Sequence, residues 1–231
     1  MKDFIKKLHN KLHIIQNIYL KNKYLIKRKT YAMEGEDLEI VKYLKNIKNG
    51  FYVDAGGYHP LDRNNTYLLY KKNWRGINID LSEFSIDLFN FIRPDDVNIN
   101  VAVANNDNYV TFYYQKKLSQ LTTIKRNIAD QRMQGSIKEQ QIKSNKLSTI
   151  INNTKYKNRK IDFLNVDIEG ADFDALKSLD FDIYRPKLVC VEIYDENIEK
   201  SDINVFLKKL NYTRKWSATF SHLYTDDSYN F

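Results

Sequence analysis

The string Phe51-Tyr-Val-Asp-Ala-Gly-Gly-Tyr-His-Pro60 restricts the fold more than any other stretch of this chain. A short apolar run ends in a carboxylate, and two adjacent glycines then let the backbone turn tightly. A buried parallel strand delivers its C-terminal end to a ligand in this way. Two later strings repeat the pattern, Gly76-Ile-Asn-Ile-Asp80 and Ile161-Asp-Phe-Leu-Asn-Val-Asp-Ile-Glu-Gly170. Three apolar runs capped by acids predict an open α/β sheet with a nucleotide-type site along its strand ends.

Only seven glycines occur in 231 residues, so the pair at 56–57 is a local choice. An apolar share of 42% suffices for one packed domain with an appendage. The single cysteine, Cys190, sits inside the apolar run Lys187-Leu-Val-Cys-Val-Glu-Ile193 and reads as a small core residue. One cysteine makes no intramolecular disulfide, and there is no secretory signal and no run long enough to span a bilayer. A cytoplasmic location is the expectation.

Hydrophobic periodicity predicts helices over 34–48, 64–72 and 83–91, the last capped by Ser82, and strands over 51–55, 76–80 and 97–104. Tyr109–Tyr114 alternates like an extra antiparallel strand. The polar middle predicts a helix over 122–133, an extended segment over 137–143 and a short helix over 147–152. Strands over 161–168 and 187–193, helices over 172–179 and 201–210, and a hairpin of 212–217 with 222–225 complete the chain. Alternating βα units with a terminal hairpin mean a mainly parallel sheet with helices on both faces.

The net charge of +8 is unevenly placed. Residues 1–30 hold nine of the 37 basic residues and one of the 29 acids, which leaves 28 of each elsewhere. In the same segment Phe4, Leu8, Leu12, Ile15 and Tyr19 fall on one helical stripe, with Ile5 and Ile18 alongside. Two expectations follow: a helix packed on the body or on a second subunit, or a basic amphipathic helix on an anionic membrane or another polyanion. The electrically balanced body gives no second basic face for nucleic acid.

A diphosphate cofactor needs Gly-x-Gly-x-x-Gly at a helix N-terminus. Here Asp54 is followed by Ala55, Gly56, Gly57, Tyr58, His59 and Pro60, with no third glycine at the required offset. A phosphate-free cofactor with a ribose and an amino-acid tail, S-adenosylmethionine, suits these residues better. On this reading Asp54 faces the cationic tail, Gly56 permits close approach, Asp80 accepts hydrogen bonds from the ribose hydroxyls and Leu81 packs on the adenine.

With these strings the chain resembles the FkbM-type S-adenosylmethionine-dependent methyltransferases. The resemblance extends over Asn65-Thr-Tyr-Leu-Leu-Tyr-Lys-Lys-Asn-Trp-Arg-Gly-Ile-Asn-Ile-Asp80, Asn100-Val-Ala-Val103 and Tyr184-Arg-Pro-Lys-Leu-Val-Cys-Val-Glu192. It covers roughly residues 50–195 and implies a Rossmann-like methyltransferase domain over 34–231, with the basic segment 1–33 outside it. It also implies O-methylation of a sugar hydroxyl in a glycan or glycosylated metabolite. Asn65 and Thr66 would line the methionine end of the cofactor, and Ala55, Asn100 and Ala102 join the cofactor-binding set.

Methyl transfer to a sugar alcohol, a very weak acid, needs a positioned base, a bound metal or both. Asp167 and Glu169 follow one predicted strand and Glu192 closes the next, so several carboxylates share a rim. Such crowding needs a cation or a shared proton. Asp167 or Glu169 as general base is one reading, with His59 as a reserve base. Mg²⁺ or Mn²⁺ held by Asp167 and Glu192 is the other. Glu169 and its neighbours are also placed to cap the following helix. Ser119, Gln120, Thr122 and Tyr194 are candidate contacts for a polyol. Two other functional classes are a cofactor-binding module without chemistry, and a nucleic-acid methyltransferase, which would need a base clamp that the chain does not show.

Overall fold

The structure is a computed structural model that describes residues 2–229, with side chains from residue 4 onward. A long N-terminal helix, α1 (Lys2–Ile15), runs on through a π-helical turn over Gln16–Lys21. The body then alternates: α2 (Glu36–Tyr43), β1 (Phe51–Ala55), α3 (Tyr67–Lys71), β2 (Arg75–Asp80), α4 (Glu83–Ile92) and β3 (Val97–Asn100). A middle section holds β4 (Ala102–Val103), β5 (Tyr109–Tyr114), α5 (Arg126–Arg132), β6 (Lys138–Asn145) and α6 (Leu147–Asn152). The second half comprises β7 (Phe163–Val166), α7 (Asp172–Lys177), α8 (Phe181–Tyr184), β8 (Leu188–Glu192), α9 (Asp202–Lys209), β9 (Tyr212–Ser217) and β10 (Ser221–Asp226).

Seven strands form the main sheet in the order β3-β2-β1-β7-β8-β10-β9. The first five are parallel, and β10 enters antiparallel between β8 and β9. The strand order reverses direction between β1 and β7, the place where such sheets open a crevice at their strand ends. The mainly parallel, Rossmann-like sheet with a terminal hairpin is therefore the observed architecture.

The central strands read as unbroken apolar runs because both of their faces are covered. Phe51, Val53 and Ala55 pack with Ile77, Ile79, Leu164, Val166, Val189 and Val191 into the larger core, under Leu147, Ile151, Ala175, Leu176 and Leu207 of α6, α7 and α9. Tyr52, Phe163, Leu188 and Cys190 point the other way, onto Ile40, Leu44, Leu69 and Trp74. Burial pushes the Cys190 thiol up, as befits a core residue.

Three local expectations change. The strand over 97–104 breaks at Val101: β3 joins the main sheet and β4 pairs with β6 in a separate three-stranded sheet, β4-β6-β5. The helix over 122–133 begins only at Arg126, because Thr123 bridges Tyr113 beforehand. The third concerns α1, which packs on α4 but not through the expected stripe. Ile14, Asn17 and Ile18 are buried, Asn10 donates to Asp87 at 2.7 Å, and His13 stacks on Phe84. Phe4, Leu8, Leu12, Ile15 and Tyr19 face outward. Among the described residues no helix is long and apolar enough to cross a membrane.

Candidate active site

A cleft, open to solvent on one side, lies across the C-terminal ends of β1, β2 and β7. The turn after β1 reaches it through Gly56 (φ +88°), whose amide bonds the Ile79 carbonyl at 2.9 Å. A Cβ there would fall 1.7 Å from the Asp167 carbonyl oxygen. Glycine is thus demanded by the close approach of the β7 backbone as much as by any ligand.

Asp80 ends β2 on the cleft wall. Its carboxylate accepts the Tyr58 amide at 2.8 Å and the Ser82 amide at 2.7 Å, which fixes both the glycine turn and the start of α4. Burial raises its pKa to about 6, against the pull of those amides. Each oxygen retains a second lone pair for an incoming hydroxyl. Leu81, Val101 and Val103 supply the apolar wall, and Ser119, Gln120, Thr122 and Ile124 close it from the segment between β5 and α5. An acid with spare acceptors beside an apolar slot fits an adenosine.

Several expected cofactor residues stand elsewhere. Ala102 is fully buried, and its neighbours Val101 and Val103 line the cleft in its place, as strand alternation requires. Ala55 is likewise buried in the core, and its carbonyl accepts the Asp167 amide at 3.0 Å. Asn100 lies at the edge, where its side chain donates to the carbonyls of Asp80 and Leu81 at 3.0 and 2.9 Å.

Asp54 does not face the cleft. It is fully buried, and a charge cut off from water must be satisfied internally. Its carboxylate accepts Asn165 Nδ2 at 2.9 Å, Thr66 Oγ1 at 2.6 Å and Asn64 Nδ2 at 3.2 Å. Thr66 therefore belongs to this network, and Asn65 joins it by donating to Asn165 Oδ1 at 2.9 Å. The countercharge was not foreseen from sequence. Arg93, fully buried, donates to Thr66 Oγ1 at 2.8 Å, to Asn64 Oδ1 at 2.6 Å and to the Pro60 carbonyl at 2.7 Å.

His59 is a correction. It is buried away from the acids, with Nδ1 accepting the Leu61 amide at 3.0 Å and Nε2 3.1 Å from Asn17 Oδ1. Burial, with Arg93 and Arg28 nearby, lowers its pKa to about 3. A buried histidine with both ring nitrogens committed ties residue 17 to the body and is not placed as a base for the cleft.

The acids do converge. Carboxylate oxygens of Asp167, Glu169 and Glu192 all lie within 4.8 Å of one another. Asp167 stands one residue beyond β7, beside Glu192 at the end of β8. Burial and the Glu192 charge push Asp167 well above the usual carboxylate range. Burial and neighbouring acids raise Glu169 to about 7 and Glu192 to about 8. Glu169 occupies a left-handed backbone position (φ +55°), and it is Asp172, not Glu169, that caps this loop, accepting the Ile168 and Gly170 amides at 2.9 and 3.0 Å.

Arg132 of α5, also unforeseen, relieves part of this crowding. Its guanidinium pairs with Glu169, donates to the Tyr194 hydroxyl at 3.0 Å and lies 3.9 Å over the Tyr194 ring. Tyr194 in turn contacts Phe220, with ring centroids 4.9 Å apart, and both rings are partly exposed. No signal near residue 132 marks it; its partners lie 37 and 62 positions away.

No curated protein matches the chain. Among solved structures it is similar to a TehB-like SAM-dependent methyltransferase from Corynebacterium glutamicum, at 8% identity and TM-score 0.47, over 96% of this chain and 100% of that one. It is also similar to a putative RNA methyltransferase from Pyrococcus horikoshii, at 10% identity and TM-score 0.43, over 86% and 88%. The model of the family described as the methyltransferase FkbM domain matches residues 54–214, from the end of β1 into β9 and hence over the whole rim of acids, and the chain belongs to that family of S-adenosylmethionine-dependent methyltransferases.

Proposed function

We propose that this protein is an O-methyltransferase that methylates a sugar hydroxyl of a glycan or glycosylated metabolite. One observation carries the reading: three carboxylates converge within 4.8 Å of one another beside exposed aromatic rings, two of them lining the cleft, and burial raises the pKa of each. A sugar alcohol needs a strong proton acceptor, and a carboxylate made more basic by burial supplies one near neutral pH. The Tyr194 and Phe220 rings offer an apolar face for a sugar ring.

In this assignment Asp80 and Leu81 hold the adenosine, while Val101 and Val103 keep its base out of water. When bound, S-adenosylmethionine supplies a methyl carbon that the hydroxyl oxygen attacks, with the C–S electron pair leaving on sulfur. The hydroxyl proton passes to Asp167, and the adjacent Glu192 carboxylate lets the pair hold it. Arg132 opposes the rise that burial imposes on Glu169 and fixes the Tyr194 ring.

The oxygen donors of Asp167, Glu169 and Glu192 also suit Mg²⁺ or Mn²⁺, and Oε2 of Glu192 is buried without a partner. Asp167 and Glu192 would hold such an ion, which would lower the pKa of the acceptor hydroxyl. The shared proton and Arg132 relieve the same crowding from within the chain, so we favour a metal-free base. Turnover is expected to survive EDTA within about two-fold; loss restored by Mg²⁺ or Mn²⁺ would install the ion instead.

The direct test is methyl transfer from labelled S-adenosylmethionine to free sugars, nucleotide sugars and lipid-linked glycans, with RNA and DNA as controls. Tight binding of S-adenosylhomocysteine with no acceptor in any class would leave a binding module, and label in nucleic acid alone would replace the sugar.

A further inference from the structure

We propose that the outward face of α1 and the segment after it docks this protein on an anionic lipid bilayer. The helix has two apolar sides with different fates. One, carrying Ile14 and Ile18, is buried against α4 and the Tyr31, Leu61, Tyr67 and Phe84 cluster. The other carries Phe4 (72% exposed), Leu8 (48%), Leu12 (58%) and Ile15 (46%), spaced at three and four residues and so on one face. Leu20, Leu25 and Ile26 prolong the exposed apolar surface beyond the helix, at 71%, 83% and 56%. Apolar surface this concentrated on a chain with an otherwise well-filled core marks an interaction face.

Charge selects the occupant. Lys6, Lys7, Lys11, Lys21, Lys23 and Lys27 are interleaved with these side chains, and residues 4–33 contain no acid. The whole +8 of the chain arises from residues 1–30. Two copies of this face brought together would oppose one cationic stripe with another, which disfavours a homodimer. A bilayer with anionic headgroups accepts both features at once: the apolar residues enter the acyl boundary and the lysines meet the headgroups. No described helix is long and apolar enough to span, so the contact lies in the interface plane. The His59–Asn17 and Asn10–Asp87 bonds hold α1 to the body, so docking orients the whole domain.

The test is flotation of the 231-residue chain with phosphatidylcholine vesicles and with vesicles containing phosphatidylserine. Binding to the anionic vesicles at least ten-fold above the neutral ones, weakened by salt, is expected. The triple variant Phe4→Ser, Leu8→Ser, Leu12→Ser should lose that binding by ten-fold or more. Its substitutions touch only exposed positions, and unchanged S-adenosylhomocysteine binding checks the fold. Lys7→Glu with Lys11→Glu should lose the preference for anionic lipid. Equal partition onto neutral and anionic vesicles, or no flotation, would overturn the proposal. So would a concentration-dependent dimer that the triple variant abolishes.

Discussion

Asp167 and Glu192 face each other one step beyond the Val166–Val191 pair of adjacent parallel strands, with carboxylate oxygens within 4.8 Å of one another. Two carboxyls in that register cannot both ionise cheaply, so the pair stores repulsion that the rest of the fold offsets. Asp167→Asn keeps the shape, removes the acceptor and relieves the repulsion. Turnover should fall at least about 100-fold with S-adenosylhomocysteine affinity unchanged.

The same substitution should stabilise the protein, and the sign depends on pH. The folded-state pKa values of Asp167 and Glu192 are raised, so their stabilising contribution is complete below the unfolded carboxylate range near pH 4 and is lost as pH rises through about 8. Asp167→Asn is therefore expected to raise Tm by roughly 2–4 °C at about pH 8 and by little at about pH 5. Calorimetry at the two pH values checks this, and an equal gain at both would mean the repulsion is not the cause.

Catalysis should run the other way with pH. A base acts only when ionised, and Glu169 and Glu192 lie at about 7 and about 8 with Asp167 also well raised. The cluster titrates as a unit, so kcat/KM should climb through that interval and level off above it. A profile already flat from about pH 5 upward would mean that no raised carboxylate takes the proton.

Asp80 makes a separate prediction because it works on the other side of the cleft. Asp80→Ala removes an acceptor for the ribose and also frees the Tyr58 and Ser82 amides that shape the turn. S-adenosylhomocysteine should bind more weakly by about 1–3 kcal/mol in titration calorimetry. Unchanged affinity would move the adenosine elsewhere.

What the sequence disclosed were features written locally. The apolar runs at 51–55, 76–80 and 187–193 announced strands buried on both faces, and each placed its terminal acid at the sheet end. Leu147–Asn152 is helical over the expected residues, and Ser82 caps α4 through the Ser85 amide. Periodicity could not disclose which neighbour covers a face: the Phe4–Tyr19 stripe was compatible with packing or with a membrane surface, and it is Ile14 and Ile18 that pack on the body. Nor could it disclose polar partners brought together only by folding. Asn165 reaches Asp54 across 111 positions, and Arg132 reaches Tyr194 across 62. His59 misled for the same reason, since adjacency to Gly57 in sequence says nothing about the side of the turn on which the ring is buried.

Arg93 gives the sharpest case of such a hidden partner. Its guanidinium and the Asp54 carboxylate meet through Thr66 and Asn64, so two opposite charges sit in the interior with hydroxyl and amide groups between them. Replacing either charge alone strands the other in a low-dielectric surround. Arg93→Met fills similar volume yet removes the countercharge, and should cost about 3–5 kcal/mol in urea unfolding at neutral pH. The double variant Arg93→Met, Asp54→Asn should recover part of that loss, because position 54 no longer strands a charge and the amide introduced there can still meet Asn165, while the loss felt at the buried Asp96 remains. Additive losses in the double variant would show that Arg93 stabilises through its packing against Phe89 and Tyr67 and not through charge.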